Sequence, residues 1–218
     1  MLNNANLFTY LVRAMVLVTA IPLHECAHAW ASDKLGDPTA KNLGRLSLNP
    51  MAHLDIIGSV LMLFTGFGWA KPVPVMSRNF KNVKKGMVLS ALAGPAANIL
   101  LALLCMLLYK LWCFVLYPML AVQFSVAQAI ATILYIMCIL NINLAVFNLI
   151  PVPPLDGSRL VTALLPARLY YKVMQYERYI ILALFVILFV GILDVPLSFL
   201  RGAVYNFLDL ITFFLGRA

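Results

Sequence analysis

Apolar residues fall into six long stretches, 7 to 31, 54 to 70, 87 to 109, 111 to 150, 179 to 200 and 203 to 215, with polar and basic residues gathered between them. A helix needs about 20 predominantly apolar residues to cross a hydrocarbon core of roughly 30 Å. The first and third stretches predict full spans. The fourth holds a loop near Tyr117-Pro118 and one further span, and 179 to 200 predicts another, ended by Asp194 and Pro196. The short stretch 203 to 215 either crosses or lies at the interface. The reading is an all-α polytopic membrane protein, one integral-membrane domain over residues 1–218, with a core over about 7–160 and C-terminal membrane helices over about 179–216.

Composition agrees with that pattern: 63% of the 218 residues are hydrophobic and only 11% are charged, far from the usage of a soluble domain. The longest polar connection, about Pro151 to Arg178, leaves no room for an inserted soluble module. The net charge of +8 does not indicate nucleic acid, because Lys and Arg cluster in three loops. These hold Lys34, Lys41 and Arg45; Lys71, Arg78, Lys81, Lys84 and Lys85; and Arg159, Arg168, Lys172 and Arg178. The positive-inside rule sends all three to the cytoplasm. The N-terminus, without charged side chains before Arg13, is expected outside, with Arg13 snorkelling outward. The first stretch is not a cleavable signal, because it carries the motif described next. Cys26, Cys105, Cys113 and Cys138 lie in apolar segments without CxxC spacing and read as packing residues.

Within the first stretch stands HECAH, His24 to His28. On a helix, residues four apart share one face about 6 Å apart in rise, so both imidazoles can reach one zinc, with Glu25 beside them as a base for water. The chain holds only three histidines, so chance is a poor explanation. Ionisable groups at membrane depth are costly and usually mark function. A catalytic zinc takes three protein ligands and keeps one position open. The remaining acidic candidates are Asp33, Asp37, Asp55, Asp156, Glu177, Asp194 and Asp209. Asp156 stands out because it ends FNLIPVPPLDG, where prolines break the helix and Gly157 permits a sharp turn.

Depth tests that choice. If the first span runs outside to inside, the histidines lie near its cytoplasmic end, and Asp156 reaches the same end only after an even number of crossings. Three stretches intervene, so one must fail to cross. The 54 to 70 segment is short, contains Gly58, Gly66 and Gly68, and is flanked by two basic loops. It is expected to be re-entrant with β-like backbone, its irregular portion packed in protein or lining a wet cavity. GFGWAKPVPV at 66 to 75 could present an edge to an unwound substrate, or form a plain Gly/Pro-rich turn. His53 could contact water or the oxyanion, orient a ligand together with Asp55, or lie at the interface without a metal role. AGPAAN at 93 to 98, with Gly94, Ala96 and Ala97 as a small face and Pro95 as a kink, reads as scaffold.

HECAH, AGPAAN and NLIPVPPLDG at 148 to 157, with SLNPMAHLD at 47 to 55 and GWAKPVPV at 68 to 75, together resemble the site-2 protease family of zinc intramembrane metalloproteases. The likeness is to a compact prokaryotic type and spans nearly all of residues 20 to 160. It implies a three-helix catalytic core and one zinc per chain, held by His24, His28 and Asp156. It also implies Glu25 as general base and Asn148 in contact with substrate or oxyanion, although Asn148, like Asn141 and Asn143, could instead cap or join helices. The chain differs from longer relatives in showing no helix before the HExxH span and no PDZ or CBS-like domain. The implied activity is hydrolysis of peptide bonds in or near transmembrane segments of single-span proteins, in regulated intramembrane proteolysis or clearance of signal-peptide remnants. The setting would be the lipid bilayer of the cytoplasmic membrane, with the site toward the cytoplasm, a regulatory membrane partner or homo-oligomer, and no nucleic acid. A zinc transporter or a catalytically silent scaffold are the alternatives. The transporter reading expects a polar path on both sides, and the outer halves offer few ionisable residues besides Arg13 and Lys110.

Overall fold

The computed structural model describes residues 4–65, 68–120, 123–165 and 175–216. Gly66 lies outside them. The main helices are α1 (Asn4–Val18), α2 (Ala20–Leu35), α3 (Ile56–Thr65), α4 (Val83–Leu111), α5 (Phe124–Asn148), α6 (Asp156–Leu164), α7 (Glu177–Val190) and α8 (Asp194–Ile211). The expected all-α membrane architecture is present. Three helical stretches are long and apolar enough to cross a membrane: Phe8–Leu35, Val83–Met119 and Phe124–Asn148.

The first of these joins α1 to α2 across Thr19. Pro22 has no N–H to return to the Val18 carbonyl, which loosens the helix one turn upstream. The Thr19 hydroxyl instead bonds the Met15 carbonyl at 2.6 Å. The α2 helix ends where Gly36 turns left-handed at φ 111°. Gly36 N–H then reaches the Asp33 carbonyl and Asp37 N–H the Ser32 carbonyl, a Schellman closure.

Ala102, Cys105 and Met106 of α4 pack on Met137, Cys138, Ile142 and Val146 of α5 and on Leu208 of α8. Cys105 and Cys138 are therefore packing residues, as expected. At the far end of α4, fully buried Lys110 stands 2.6 Å from the Asp209 carboxylate and also donates to the Asp209 carbonyl, tying α8 to α4. The 179 to 200 stretch is not one straight span: α7 and α8 meet at 82° across a break at Gly191–Leu193. Gly191 takes a left-handed φ of 77° there, which ends α7 before Asp194 and Pro196 begin α8.

The α3 helix has only ten residues, about 15 Å of rise and half a hydrocarbon core. Asp55 starts it by accepting from Gly58 N–H at 2.8 Å. Asp55 thus acts as a helix cap, and no contact with a metal-ligating residue is seen. The other end is held from α1. The Arg13 guanidinium donates to the Leu63 and Phe64 carbonyls at 2.7 and 2.9 Å. The returning chain packs closely on α3. A Cβ on Gly68 would stand 2.2 Å from the Gly58 carbonyl oxygen, and one on Gly58 would stand 2.2 Å from that of Trp69.

The expected β-like backbone is confined to one antiparallel bridge, Leu54 to Ala70, with no strand among the described residues. Lys71 N–H bonds the His53 carbonyl at 2.8 Å. Pro72 and Pro74 carry no N–H, so the ladder stops there. Beyond it, fully buried Asp37 accepts from the Thr39 amide and hydroxyl, from Met76 N–H at 2.7 Å and from the Asn79 side chain at 2.8 Å. Burial pushes its carboxyl pKa up, but these bonds outweigh burial and hold it below the ordinary value.

Two outcomes follow from these clasps. A charge-assisted hydrogen bond contributes about 1.5–3 kcal/mol, so Arg13→Gln is expected to speed amide exchange across α3 by on the order of ten-fold or more, with Arg13→Lys partly restoring protection. Because Asp37 has a depressed folded pKa, its stabilisation is complete above the unfolded value of about 3.9 and is lost as pH falls through the lower folded value. Exchange at the Met76 and Thr39 amides is expected to accelerate below about pH 4 in the wild type, and Asp37→Ala should show fast exchange at every pH.

Candidate metal centre

His24 and His28 lie one turn apart on α2, both buried, with ring planes at 83°. Asp156 is brought to them by a reversal at the end of α5. Pro151, Pro153 and Pro154 prevent the helix from continuing, and α6 begins at Asp156 itself. The reversal is so tight that a Cβ on Gly157 would stand 2.2 Å from the Leu149 carbonyl oxygen. Glycine is needed there for close approach rather than for unusual dihedrals.

The three donors converge. His24 Nε2 and His28 Nε2 are 3.0 Å apart, and each is 3.1 Å from Asp156 Oδ2. Two ligands at about 2.0–2.1 Å from a tetrahedral zinc stand roughly 3.3 Å apart, so the triangle has the size of a metal face. The chemistry of the donor set agrees. His28 Nδ1 lies 2.7 Å from the Ser90 carbonyl, which can only accept, so its proton sits on Nδ1 and its Nε2 carries a lone pair. His24 Nδ1 lies 2.5 Å from Asn98 Oδ1, with the same result. In the neutral tautomer that those bonds favour, both Nε2 atoms and the Asp156 oxygen present lone pairs to one point, where a single cation can be shared. No other such cluster of His, Cys and acidic side chains occurs among the described residues.

The α4 helix supplies more of this site than a scaffold would. A Cβ on Gly94 would fall 2.3 Å from His28 Nε2 and 2.6 Å from His24 Nε2, so Gly94 keeps open the space beside the donor atoms. Asn98 and Ser90 orient the two rings, and the Ser90 hydroxyl bonds Ser32 at 2.8 Å to hold α4 on α2. The AGPAAN motif does not by itself disclose these roles of Gly94 and Asn98; its one signal is a polar residue on an otherwise apolar helix face, one turn from a glycine.

The remaining sequence candidates are dispersed. Glu25 follows His24 and is half-buried, while the Cys26 thiol takes a hydrogen bond from the Ser47 amide rather than facing the donors. His53 is fully buried but is not among the metal donors. Its Nε2 donates to the Ser47 carbonyl at 2.7 Å and its own carbonyl receives Lys71 N–H, so it braces the loop that leads into α3. Arg45, expected as a loop charge, is buried; it donates to the Lys71 carbonyl and interacts electrostatically with Glu25. Asn148 closes α5 and gives one amide hydrogen to the Leu144 carbonyl at 3.0 Å.

Residues 12–192 match peptidase family M50. Over 185 residues the chain is 41% identical to a Bacillus subtilis (strain 168) protein named "Putative zinc metalloprotease YwhC", covering 85% of this chain and 82% of that one. It is 30% identical over 141 residues to "Putative zinc metalloprotease Rip2" of Mycolicibacterium smegmatis (strain ATCC 700084 / mc(2)155), covering 62% of this chain and 50% of that protein. No solved structure matches. The chain belongs to peptidase family M50, the site-2 protease family, and is a zinc metalloprotease built on membrane-spanning helices.

Proposed function

We propose that this protein is an intramembrane endopeptidase that cuts peptide bonds in or near the transmembrane segments of single-span membrane proteins. Residues 1–218 act as one domain, with the site toward the cytoplasm and the N-terminus outside. The observation that carries the reading is the triangle of His24 Nε2, His28 Nε2 and Asp156 Oδ2 on α2 and α6, in a chain of apolar helices. His24, His28 and Asp156 hold one zinc. When bound, such an ion polarises a carbonyl oxygen and makes water acidic enough to yield a nucleophile near neutral pH.

Glu25 takes the proton from the attacking water and passes it to the leaving amine. Arg45, buried nearby, balances the charge of this carboxylate. Asn148 spends one amide hydrogen on Leu144, and its second is left for the oxyanion, where a preorganised donor contributes about 3 kcal/mol.

A substrate helix must unwind before attack, and the 68 to 75 segment is the candidate to receive it. Lys71 is fastened on both its amide and its carbonyl, by His53 and Arg45. Alternate residues of extended chain face opposite edges, so Ala70 and Pro72 are offered to a substrate on the other edge. The structural role of Gly68 sets the position of that edge. Substrates of regulated intramembrane proteolysis or signal-peptide remnants fit this geometry, and a regulatory membrane partner or a second copy would gate entry. Transport is disfavoured because both outer cations are engaged, Arg13 on α3 and Lys110 on Asp209.

The deciding experiment is cleavage of a panel of single-span substrates by detergent-purified protein, with bound zinc measured alongside. Removing a general base costs about 10²–10⁴-fold, so Glu25→Gln is expected to lose cleavage by that order while retaining one zinc; wild-type rates in the variant would sink the assignment. Gly94→Val, whose side chain fills the space beside Nε2 of both histidines, should lose zinc and cleavage together. Gly68→Val should keep zinc but cleave poorly, and unchanged cleavage there would remove the edge from the mechanism.

A further inference from the structure

Asn98 and Asn141 are both fully buried, and their side chains bond each other within the core. Their hydrogen bonds have only one possible direction. The Met137 carbonyl can only accept, so the Asn141 group 2.8 Å from it is the amide nitrogen. That turns Asn141 Oδ1 toward Asn98, whose Nδ2 donates to it at 2.8 Å. Asn98 Oδ1 is thereby left facing His24 Nδ1. Each amide fixes the orientation of the next, starting from one backbone carbonyl of α5 and ending on a metal-ligating ring of α2.

We infer that Asn141 and Asn98 form a polarity relay: the Met137 carbonyl of α5, acting through two amides, holds His24 in the tautomer that presents a lone pair at Nε2, so that zinc affinity is set in part by the docking of α5. The inference rests on the zinc reading above and adds two positioning residues to it. Asn98 alone does not suffice. An isolated amide presents its oxygen or its nitrogen to an imidazole equally well, and the nitrogen would favour the tautomer whose proton blocks the metal. Asn141 removes that choice, because turning Asn98 over would set its Oδ1 against Asn141 Oδ1, two acceptors face to face.

The test is zinc affinity, by chelator competition on the full chain in detergent, for wild type, Asn98→Leu, Asn141→Leu and the double variant Asn98→Asp with Asn141→Leu. Leucine suits an apolar helix, so these changes leave the bundle membrane-compatible. Loss of a group that orients a ligand weakens metal binding about 10–100-fold, and Asn98→Leu is expected in that range. Asn141→Leu should show part of the same loss although it does not touch the ring. The double variant is the discriminating one: a carboxylate offers only acceptors, so its direction needs no partner, and affinity should return to the wild-type level. A purely structural pair predicts the reverse, with the double variant weakest. Wild-type affinity in Asn98→Leu, or a double variant weaker than Asn141→Leu alone, overturns the relay while leaving a zinc-binding wild type as a protease. A wild type that binds no zinc overturns the protease reading and the relay with it.

Discussion

His24 Nε2, His28 Nε2 and Asp156 Oδ2, each within 3.1 Å of the others, are the arrangement on which the rest of this fold depends. Left to themselves, two imidazoles and a carboxylate would share protons and collapse into an ordinary hydrogen-bonded cluster. Here both Nδ1 atoms are committed to acceptors on α4, so the protons stand on the outer sides of the rings. The long α4 helix is therefore central in the chemical as well as the geometric sense. It carries Ser90, Gly94 and Asn98 at four-residue spacing along one face, which supplies in turn an acceptor, an empty volume and a second acceptor to the two rings of α2.

A second set of contacts arranges the loops around that centre. Outside α3, the described residues from 44 to 80 carry little regular structure, yet their backbone groups are met at fixed points. Asp37 gathers Thr39, Met76 and Asn79, Arg45 and His53 clamp Lys71, and Arg13 reaches from α1 to the last carbonyls of α3. Irregular backbone at membrane depth survives only when its polar groups are satisfied by protein or water, and these side chains satisfy them here. Arg45 and Lys71, two of the loop charges that orient the chain, thus also hold the loops together. The positive-inside pattern records where such residues lie, and burial and hydrogen bonding record what they fasten.

This division explains how much could be read from the chain alone. Hydropathy made the long spans legible, and length, glycines and flanking basic loops together singled out 54 to 70, where the helix has only ten residues. The pairing of His24 with His28 and the choice of Asp156 followed from helix period, from prolines and from crossing parity. What stayed hidden depended on contacts distant in sequence. Arg13 lies 50 residues from the Leu63 carbonyl it caps and Asn98 lies 74 from His24, and no local pattern reports either. His53 and Asp55 were drawn toward the metal by their residue types, yet one braces a loop and the other caps α3. Asp194 and Pro196 marked the end of the 179 to 200 span within a few residues, but the left-handed turn at Gly191 that makes the bend is a backbone conformation that hydropathy does not report.

The use of asparagine beside His24 has an electrostatic logic of its own. Ligating histidines commonly donate to a carboxylate, but a carboxylate at this depth would add a negative charge to a site that already holds Asp156 and Glu25. A third buried carboxylate would need its own hydrogen-bond partners in apolar surroundings, a cost that falls on the fold rather than on the metal. A neutral amide avoids that cost but is ambiguous, because it can present either end to the ring. The second amide and the Met137 carbonyl remove the ambiguity without adding charge. The apolar environment that makes a carboxylate costly to the fold also makes a reversed amide chain costly, since each buried donor or acceptor left unpaired loses about 1–3 kcal/mol. In that sense the bilayer setting favours the neutral solution on grounds of stability, whichever group orients the ring.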